Sequence, residues 1–312
     1  MDNVSSNITY ILNIEGLNIP PIAFYPVFII AIISYCLIIF CNIVILLIIA
    51  IEKRLHEPMY LLLINLPVND LIGGTVILPQ LIHEILWDSR SISYPVCVTQ
   101  AFFIHMYAGG TVLILTAMAY DRYVAICLPL RYNTIMTNTN VLKITILVWF
   151  IDLVLMAVLF YLLLRFPRCR SLISNTYCDN PSLLRLVCAD TSLNNIYGLF
   201  ITALLQISSV VPIAFTYLQI LLTCLRNKRS DAKKKAIQTC ATHLAVFIIL
   251  EITGLFSILA YRFENASPFI RRMFGASTLI FPPAVNPIIY GLKTKEIKSK
   301  LKQFLGCKVS PL

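Results

Sequence analysis

Charge is what this chain has least of. Only 13% of its 312 residues are Asp, Glu, Lys or Arg, against about 25% in ordinary soluble domains. Hydrophobic residues make up 58%, and mean hydropathy is +0.81. A soluble fold so apolar has no polar surface left to cover itself. That excludes a soluble enzyme, a disordered tail, a collagen and a secreted disulfide knot, and points to a polytopic membrane protein. Acidic residues are scarcer than basic ones, 15 against 25, which leaves a net charge of +10. Such an excess raises nucleic acid as a partner until the basic residues have been located. HExxH, a Walker loop and GxSxG are also missing, so no motif supports an enzyme. No cleavable leader is expected: the first 23 residues are polar, carry Asp2 and Glu15, and hold neither Lys nor Arg.

Long apolar runs are plentiful. A helix needs about 20 apolar residues to cross the hydrocarbon core. Seven stretches qualify: Phe24 to Ile51, Met59 to Leu86, Val98 to Ile126, Leu142 to Leu164, Ile196 to Leu225, Ala236 to Ala260, and Phe274 to Tyr290. Backbone polar groups in lipid must be satisfied internally, so these are helices. The ten-residue alternating segments of a membrane barrel do not occur. The fold expected is an all-α membrane protein, a seven-transmembrane helix bundle. It divides into an extracellular amino-terminal segment at 1–23, the bundle at 24–290, and a cytoplasmic part at 291–312. A short amphipathic eighth helix opens that last part.

Orientation follows from the basic residues, because short cytoplasmic loops carry excess Lys and Arg. Lys53 and Arg54 follow the first span directly. Arg226, Lys228, Arg229, Lys233, Lys234 and Lys235 separate the fifth and sixth, and Lys293, Lys295, Lys298, Lys300, Lys302 and Lys308 fill the tail. The amino terminus is therefore expected outside and the carboxyl terminus inside. The basic collar faces membrane lipid or an acidic partner, and nucleic acid loses its support. Arg165, Arg168, Arg170 and Arg185 lie in an outer loop and run against the simple rule. Sequons at Asn3, Asn7 and Asn265 all fall on the outer side.

Four of the ten cysteines, Cys97, Cys169, Cys178 and Cys188, fall outside the membrane on this topology. In an oxidising compartment they form two disulfides, and three pairings are open. Cys36, Cys41, Cys127, Cys224 and Cys240 read as apolar filler. Cys307 follows a basic juxtamembrane helix and suits palmitoylation.

Ionisable groups inside spans are costly and mark function. Asp70 lies near Asn65 and Asn69 in the second span, with Asn42 in the first and Asn286 in the seventh. All five are placed to face one mid-membrane polar cluster. Asp121 and Arg122 close the third span, as a boundary salt bridge or as a switch. His105 lies about a third of the way down that span, Asp152 inside the fourth, Glu251 deep in the sixth and Arg262 at its outer end. Pro212, Pro282, Pro283 and Pro287 interrupt helical bonding and put kinks where a cavity needs bent helices.

Motifs at the ends of the spans carry a resemblance. The third span ends Met118-Ala119-Tyr120-Asp121-Arg122-Tyr123-Val124-Ala125-Ile126-Cys127, followed by Leu128-Pro129-Leu130-Arg131-Tyr132. Pro58-Met59-Tyr60 opens the second, and Leu71 follows Asp70. Lys235-Ala236-Ile237-Gln238-Thr239-Cys240-Ala241-Thr242-His243-Leu244 opens the sixth, and Asn286-Pro287-Ile288-Ile289-Tyr290 ends the seventh. Over nearly its whole length the chain resembles an odorant receptor of the rhodopsin-like, G-protein-coupled family. Pro282-Pro283-Ala284-Val285 and Tyr261-Arg262-Phe263 resemble class I, fish-type members, which favour water-soluble odorants. Pro67, where members often have Ser, and Glu251, where many have Tyr, depart from the pattern.

The resemblance implies a receptor in the plasma membrane, in the cilia of olfactory sensory neurons. It would bind a small odorant and activate a stimulatory, olfactory-type G protein, raising cAMP. It implies disulfides Cys97–Cys178 and Cys169–Cys188, and a polar site of Asn42, Asp70, Thr111 and Asn286 with room for a sodium ion. Otherwise it implies no cofactor. A coupling switch would be made of Asp121, Arg122, Tyr123, Tyr217, Asn286, Pro287 and Tyr290. The odorant would lie among Ile104, His105, Ala108, Gly109, Ile201, Leu205, Glu251, Gly254, Leu255, Ile258 and Arg262. Gly109 and Gly254 would leave it room. Three readings of the polar lining stand: Arg262 and His105 engage an anionic group, Glu251 receives an amine, or Arg262 pairs with Glu264 while Glu251 stays protonated or bonded to a neighbouring helix. A rival class is a secondary transporter or proton-linked carrier using Asp70, Asp152 and Glu251 as a relay. No internal repeat between halves supports it.

Overall fold

The computed structural model describes residues 10–17, 19–87, 89–226, 244, 247–249, 251–252, 254, 268–293 and 295–304. Among these, five helical segments are long and apolar enough to cross a membrane. The first helix spans Phe24–Ile51, as its apolar run requires. A short helix, Pro58–Leu63, leads into the second, Asn65–Trp87. The expected single run from Met59 is thus interrupted at Ile64. The third helix, Tyr94–Cys127, starts four residues earlier than its apolar run, because Pro95 fits a first turn whose N–H groups are unpaired anyway. The fourth is Asn138–Leu164, started by Thr137, whose side chain accepts from the Asn140 backbone N–H. The fifth is Ser192–Arg226 and contains Pro212. Most of the run expected as the sixth helix, Ala236 to Ala260, lies outside the described residues. Those described within it are helical. The seventh helix is Pro268–Lys293 and contains Pro282, Pro283 and Pro287.

The third helix is the hub, packed against the second, fourth and fifth. One core cluster joins Ile45, Ile49, Leu62, Leu66, Leu115, Met118 and Tyr290. Another joins Cys97, Met106, Met156, Phe160, Leu183 and Ile201. The outer faces of the first and fourth helices expose Ile30, Ile33, Phe40, Leu142, Ile146 and Phe150. Such apolar exposure suits lipid and would be a liability in water.

An eighth helix, Lys295–Phe304, docks by Ile297, which is fully buried, and joins the first helix through an ion pair between Lys300 and Glu52. The hydrogen bond from Lys300 holds the Glu52 carboxyl below its usual range. Tyr60 of the short helix donates to Glu296 Oε2 at 3.2 Å.

A three-stranded sheet caps the other end. Strand β1, Ile11–Ile14, lies between β2, Ser91–Ser93, and β3, Leu172–Ile173. It pairs antiparallel with β2, Leu12 opposite Ile92, and parallel with β3, Ile14 opposite Ile173. Alternation along β1 sends Leu12 and Ile14 inward, where they are 1% and 2% exposed. The segment at 1–23, read from sequence only as a polar extracellular segment before the bundle, thus contributes a strand of its own.

Candidate ligand cavity and coupling site

Disulfides pin the loop after the fourth helix. Cys97 is bonded to Cys178 and Cys169 to Cys188, with Cα separations of 5.3 and 5.8 Å. Gln100, one turn below Cys97, accepts from the Cys178 backbone N–H at 2.9 Å and donates to Val76 O at 2.9 Å. The loop is sewn inside by buried polar groups. Asp179 caps Ser182 N at 2.8 Å, Asn175 donates to Asp179 Oδ2, Asn180 to Asn194 Oδ1, and Asn194 to Leu159 O. These bonds satisfy groups that would otherwise be buried unpaired, the condition for their burial.

Tyr177 precedes Cys178 and forms the roof of the bundle. It packs with Ile77, Ile104, Tyr107 and Leu279. Its hydroxyl lies 2.7 Å from where a Cβ on Gly275 would be, so the seventh helix needs glycine there. Beneath the roof the residues expected to line the cavity divide. Ala108 is exposed, and a Cβ on Gly254 would meet no atom within 4 Å, so both border open space. Glu251 is half-buried and accepts a hydrogen bond from the Gln206 side chain. Ile104 is buried against the roof cluster. Ile201 and Leu205 pack into the cluster that holds Met156 and Phe160. Leu255, Ile258 and Arg262 lie outside the described residues, as do Asn3, Asn7, Asn265 and Cys307.

Gly109 is a correction. It leaves no room for ligand: a Cβ there would fall 2.2 Å from Asp152 Oδ1, and one on Gly110 would fall 3.4 Å from Asp152 Oδ2. The two glycines let the fourth helix bring a fully buried carboxyl against the third. His105, one turn from Gly109, looks the same way. Its ring meets Phe160 edge-on at 5.8 Å, and its Nδ1 is 2.8 Å from Ala101 O. Only Nε2 remains for a ligand.

The mid-membrane polar residues do not gather into one cluster. Asn286 Nδ2 donates to both Asp70 oxygens, at 3.2 and 3.1 Å. Asn42 instead bridges Ile38 O and Pro283 O. Asn69 turns to the third helix and donates to Thr111 Oγ1 at 2.8 Å and Tyr107 O at 2.9 Å, so Thr111 is engaged by Asn69 rather than by Asp70. Asn65 donates to Thr145 and accepts from Trp149 Nε1 at 2.9 Å. Neighbouring residues on a helix point about 100° apart. Asn69 and Asp70 therefore serve different partners.

At the opposite end Asp121 is 1% exposed. Arg122 Nε lies 3.9 Å from Asp121 Oδ2, and the Tyr132 hydroxyl donates to Asp121 Oδ1 at 2.9 Å. Burial and the neighbouring Asp121 push the Tyr132 phenol above its usual range, which keeps it a donor. Tyr123 tilts against Phe215 at 6.1 Å. Tyr217 and Tyr290 pack against the same core cluster, with Pro287 buried one turn before Tyr290. A paired Arg at the mouth of a helical bundle, released when its partners move, can present a cation to a protein docking there.

A helical membrane bundle with a disulfide-pinned loop roofing one end, and an Asp–Arg pair held in reserve at the other, is built as a G-protein-coupled receptor. A family model described as "Olfactory receptor" matches residues 30–308. The chain is 37% identical over 282 residues to human Olfactory receptor 52H1, covering 90% of this chain and 88% of that protein. Human Olfactory receptors 52J3 and 52R1 are each 36% identical, covering 83% and 88% of this chain and 84% and 87% of their own lengths. The chain belongs to the olfactory receptor family. It is a multi-pass membrane receptor for small molecules that couples to a G protein, and it is not an enzyme.

Sequence reasoning missed Gln100, Tyr177, the Asp152–glycine contact and the bond from Tyr132 to Asp121. Tyr132 alone had a signal, since it ends the run Leu128–Tyr132 noted beside the Asp–Arg pair.

Proposed function

We propose that this receptor takes a small, water-soluble odorant into the space bordered by Ala108, Glu251 and Gly254 and activates a stimulatory, olfactory-type G protein, raising cAMP. The disulfide end faces outward on this reading, in the plasma membrane of olfactory cilia, with Asn3, Asn7 and Asn265 as glycan acceptors and Cys307 as a palmitoyl site. The observation that carries it is the buried Asp121 holding Arg122 at the end of the helix that also carries the exposed Ala108. Odorant binds better to the state in which Arg122 is free, and only that difference in affinity drives the change. The Asp70 carboxylate would supply oxygen atoms for a sodium ion between the second and seventh helices, beside Asn286. Glu251, with Gln206 as its partner, suits an amine or hydroxyl; the rival reading gives an acid to Arg262 and His105.

The test is ligand-dependent cAMP in cells presented with acids, amines and amino acids. Arg122→Ala abolishes signalling and leaves ligand binding and surface expression intact. Ligand-dependent uptake without cAMP overturns the reading in favour of a carrier.

A further inference from the structure

Arg272 belongs to the seventh helix, yet its guanidinium is spoken for by the amino-terminal segment. Its side chain is 8% exposed and pairs through Nη2 with Glu15. Nη1 donates to Gly16 O at 3.1 Å, while Nε is buried with no acceptor. Gly16 sits at φ +67°, which favours glycine, and a Cβ there would fall 2.1 Å from Glu84 Oε1. This clasp follows β1 directly, so it fastens the sheet over the mouth of the bundle.

The clasp is chemically incomplete. On one edge of a guanidinium, Nε–H and one Nη–H form a fork that matches the two oxygens of a carboxylate. Here Glu15 contacts Nη2 only, and the Nε half of the fork is unused. Glu15 is itself 36% exposed, so one partner of the pair faces water while the other is held inside. A carboxylate arriving from solution can engage both arms of the fork, where the tethered Glu15 engages one.

We propose that Arg272 is an anion subsite at the mouth of the receptor, closed by the chain's own Glu15, and that a small carboxylate from solution displaces Glu15 and frees the strand Ile11–Ile14 from the sheet. The site takes small carboxylates, since a planar two-oxygen group meets both Nε and Nη2 of Arg272. It rests on the reading that ligands reach the receptor from the disulfide end, and it adds an entry step ahead of the cavity at Ala108.

Amide exchange of residues 11–17 in the purified full-length receptor tests it, because the readout needs no G protein. The probes are potassium propionate, potassium chloride at equal ionic strength, and propan-1-ol. In wild type, propionate is expected to speed exchange by about fivefold, the factor implied by losing one hydrogen-bonded contact of about 1 kcal/mol. Chloride and the alcohol leave it unchanged. Glu15→Gln exchanges fast without any probe. Arg272→Gln gives no further response to propionate. Arg272→Lys, which keeps the charge without the fork, responds more weakly than wild type and serves should the Gln variant not fold. Equal exchange in propionate and chloride overturns the proposal, as does a Glu15→Gln receptor still as protected as wild type. A chain that shows the propionate response but no cAMP would retain this site and lose the receptor reading instead.

Discussion

At the disulfide end, two disulfides, a three-stranded sheet, the Arg272 clasp and a run of buried hydrogen bonds from Asn175 to Asn194 hold loops that would otherwise be loose. At the coupling end, Asp121 reaches Arg122 at 3.9 Å and Tyr132 at 2.9 Å, and helix eight is tied on by the buried Ile297, the Lys300–Glu52 ion pair and the Tyr60 bond to Glu296. The first end is over-determined, so its shape is a template that ligand must fit. Among the described residues the second is held by a few polar contacts, each worth about 1 kcal/mol, so modest differences in ligand affinity can shift it. Rigidity at the recognition end and bistability at the output end are what a receptor needs.

The contrast is broken most severely by removing Cys97. Its bond closes the longer loop, with 81 residues of separation against 19 for Cys169–Cys188. Cys97→Ser is expected to cost about 2–5 kcal/mol, read as lost surface expression and a large drop in thermal midpoint. The Cys169→Ser loss should be the smaller of the two. Equal losses would mean that loop closure is not what sets the cost.

Next comes the glycine contact between the third and fourth helices. Gly109→Ala sets a methyl 2.2 Å from Asp152 Oδ1, an overpacking worth about 1–3 kcal/mol. Asp152→Ala in the same chain should recover most of it. Additive losses in a double-mutant cycle would show that the two residues are not coupled.

Tyr132→Phe acts at the flexible end and on the switch. Losing its bond to Asp121 removes about 1 kcal/mol from the closed state. Basal nucleotide exchange should rise about fivefold while the thermal midpoint barely moves. Unchanged basal activity would remove Tyr132 from the switch.

Smallest is Glu52→Gln at the exposed pair with Lys300. Thermal stability should stay within error, with faster amide exchange confined to residues 295–304. The Glu52 carboxyl is depressed by Lys300, so its contribution is present above the ordinary carboxyl range and is lost as pH falls through the lowered value. Acidification of wild type should reproduce the variant's local exchange. A global loss of stability would show that helix eight is more than a tethered appendage.

What could be read in advance tracks how local its cause is. Phe24–Ile51 was legible residue for residue, because an unbroken apolar run ended by Glu52 and Lys53 leaves no other choice. The starts at Tyr94 and Asn138 were set late, because polar first turns hide from an apolar count while Pro95 and Thr137 build them. Strand Ile11–Ile14 was not legible: four residues carry little pattern, and both partners lie far along the chain. Gly109 was placed on the right helix and given the wrong neighbour. Spacing puts His105 and Gly109 on one face, but which helix meets that face is decided by tertiary packing. Asp70 with Asn286 was legible as a pair of polar residues in a lipid setting. The separate engagement of Thr111 by Asn69 was not, since adjacent residues in a sequence give no direction.

Gln100 has a mechanical meaning. A disulfide alone is a swivel, since the loop could turn about it. Gln100 grips the Cys178 backbone one helical turn away from Cys97 and holds Val76 with its other arm. Two attachments a turn apart make a weld. The chain direction at Cys178 is thereby fixed, and with it the ring of Tyr177 over Ile104 and Gly275. Tyr177 is held as a fixed ceiling against Ile77, Ile104, Tyr107 and Leu279.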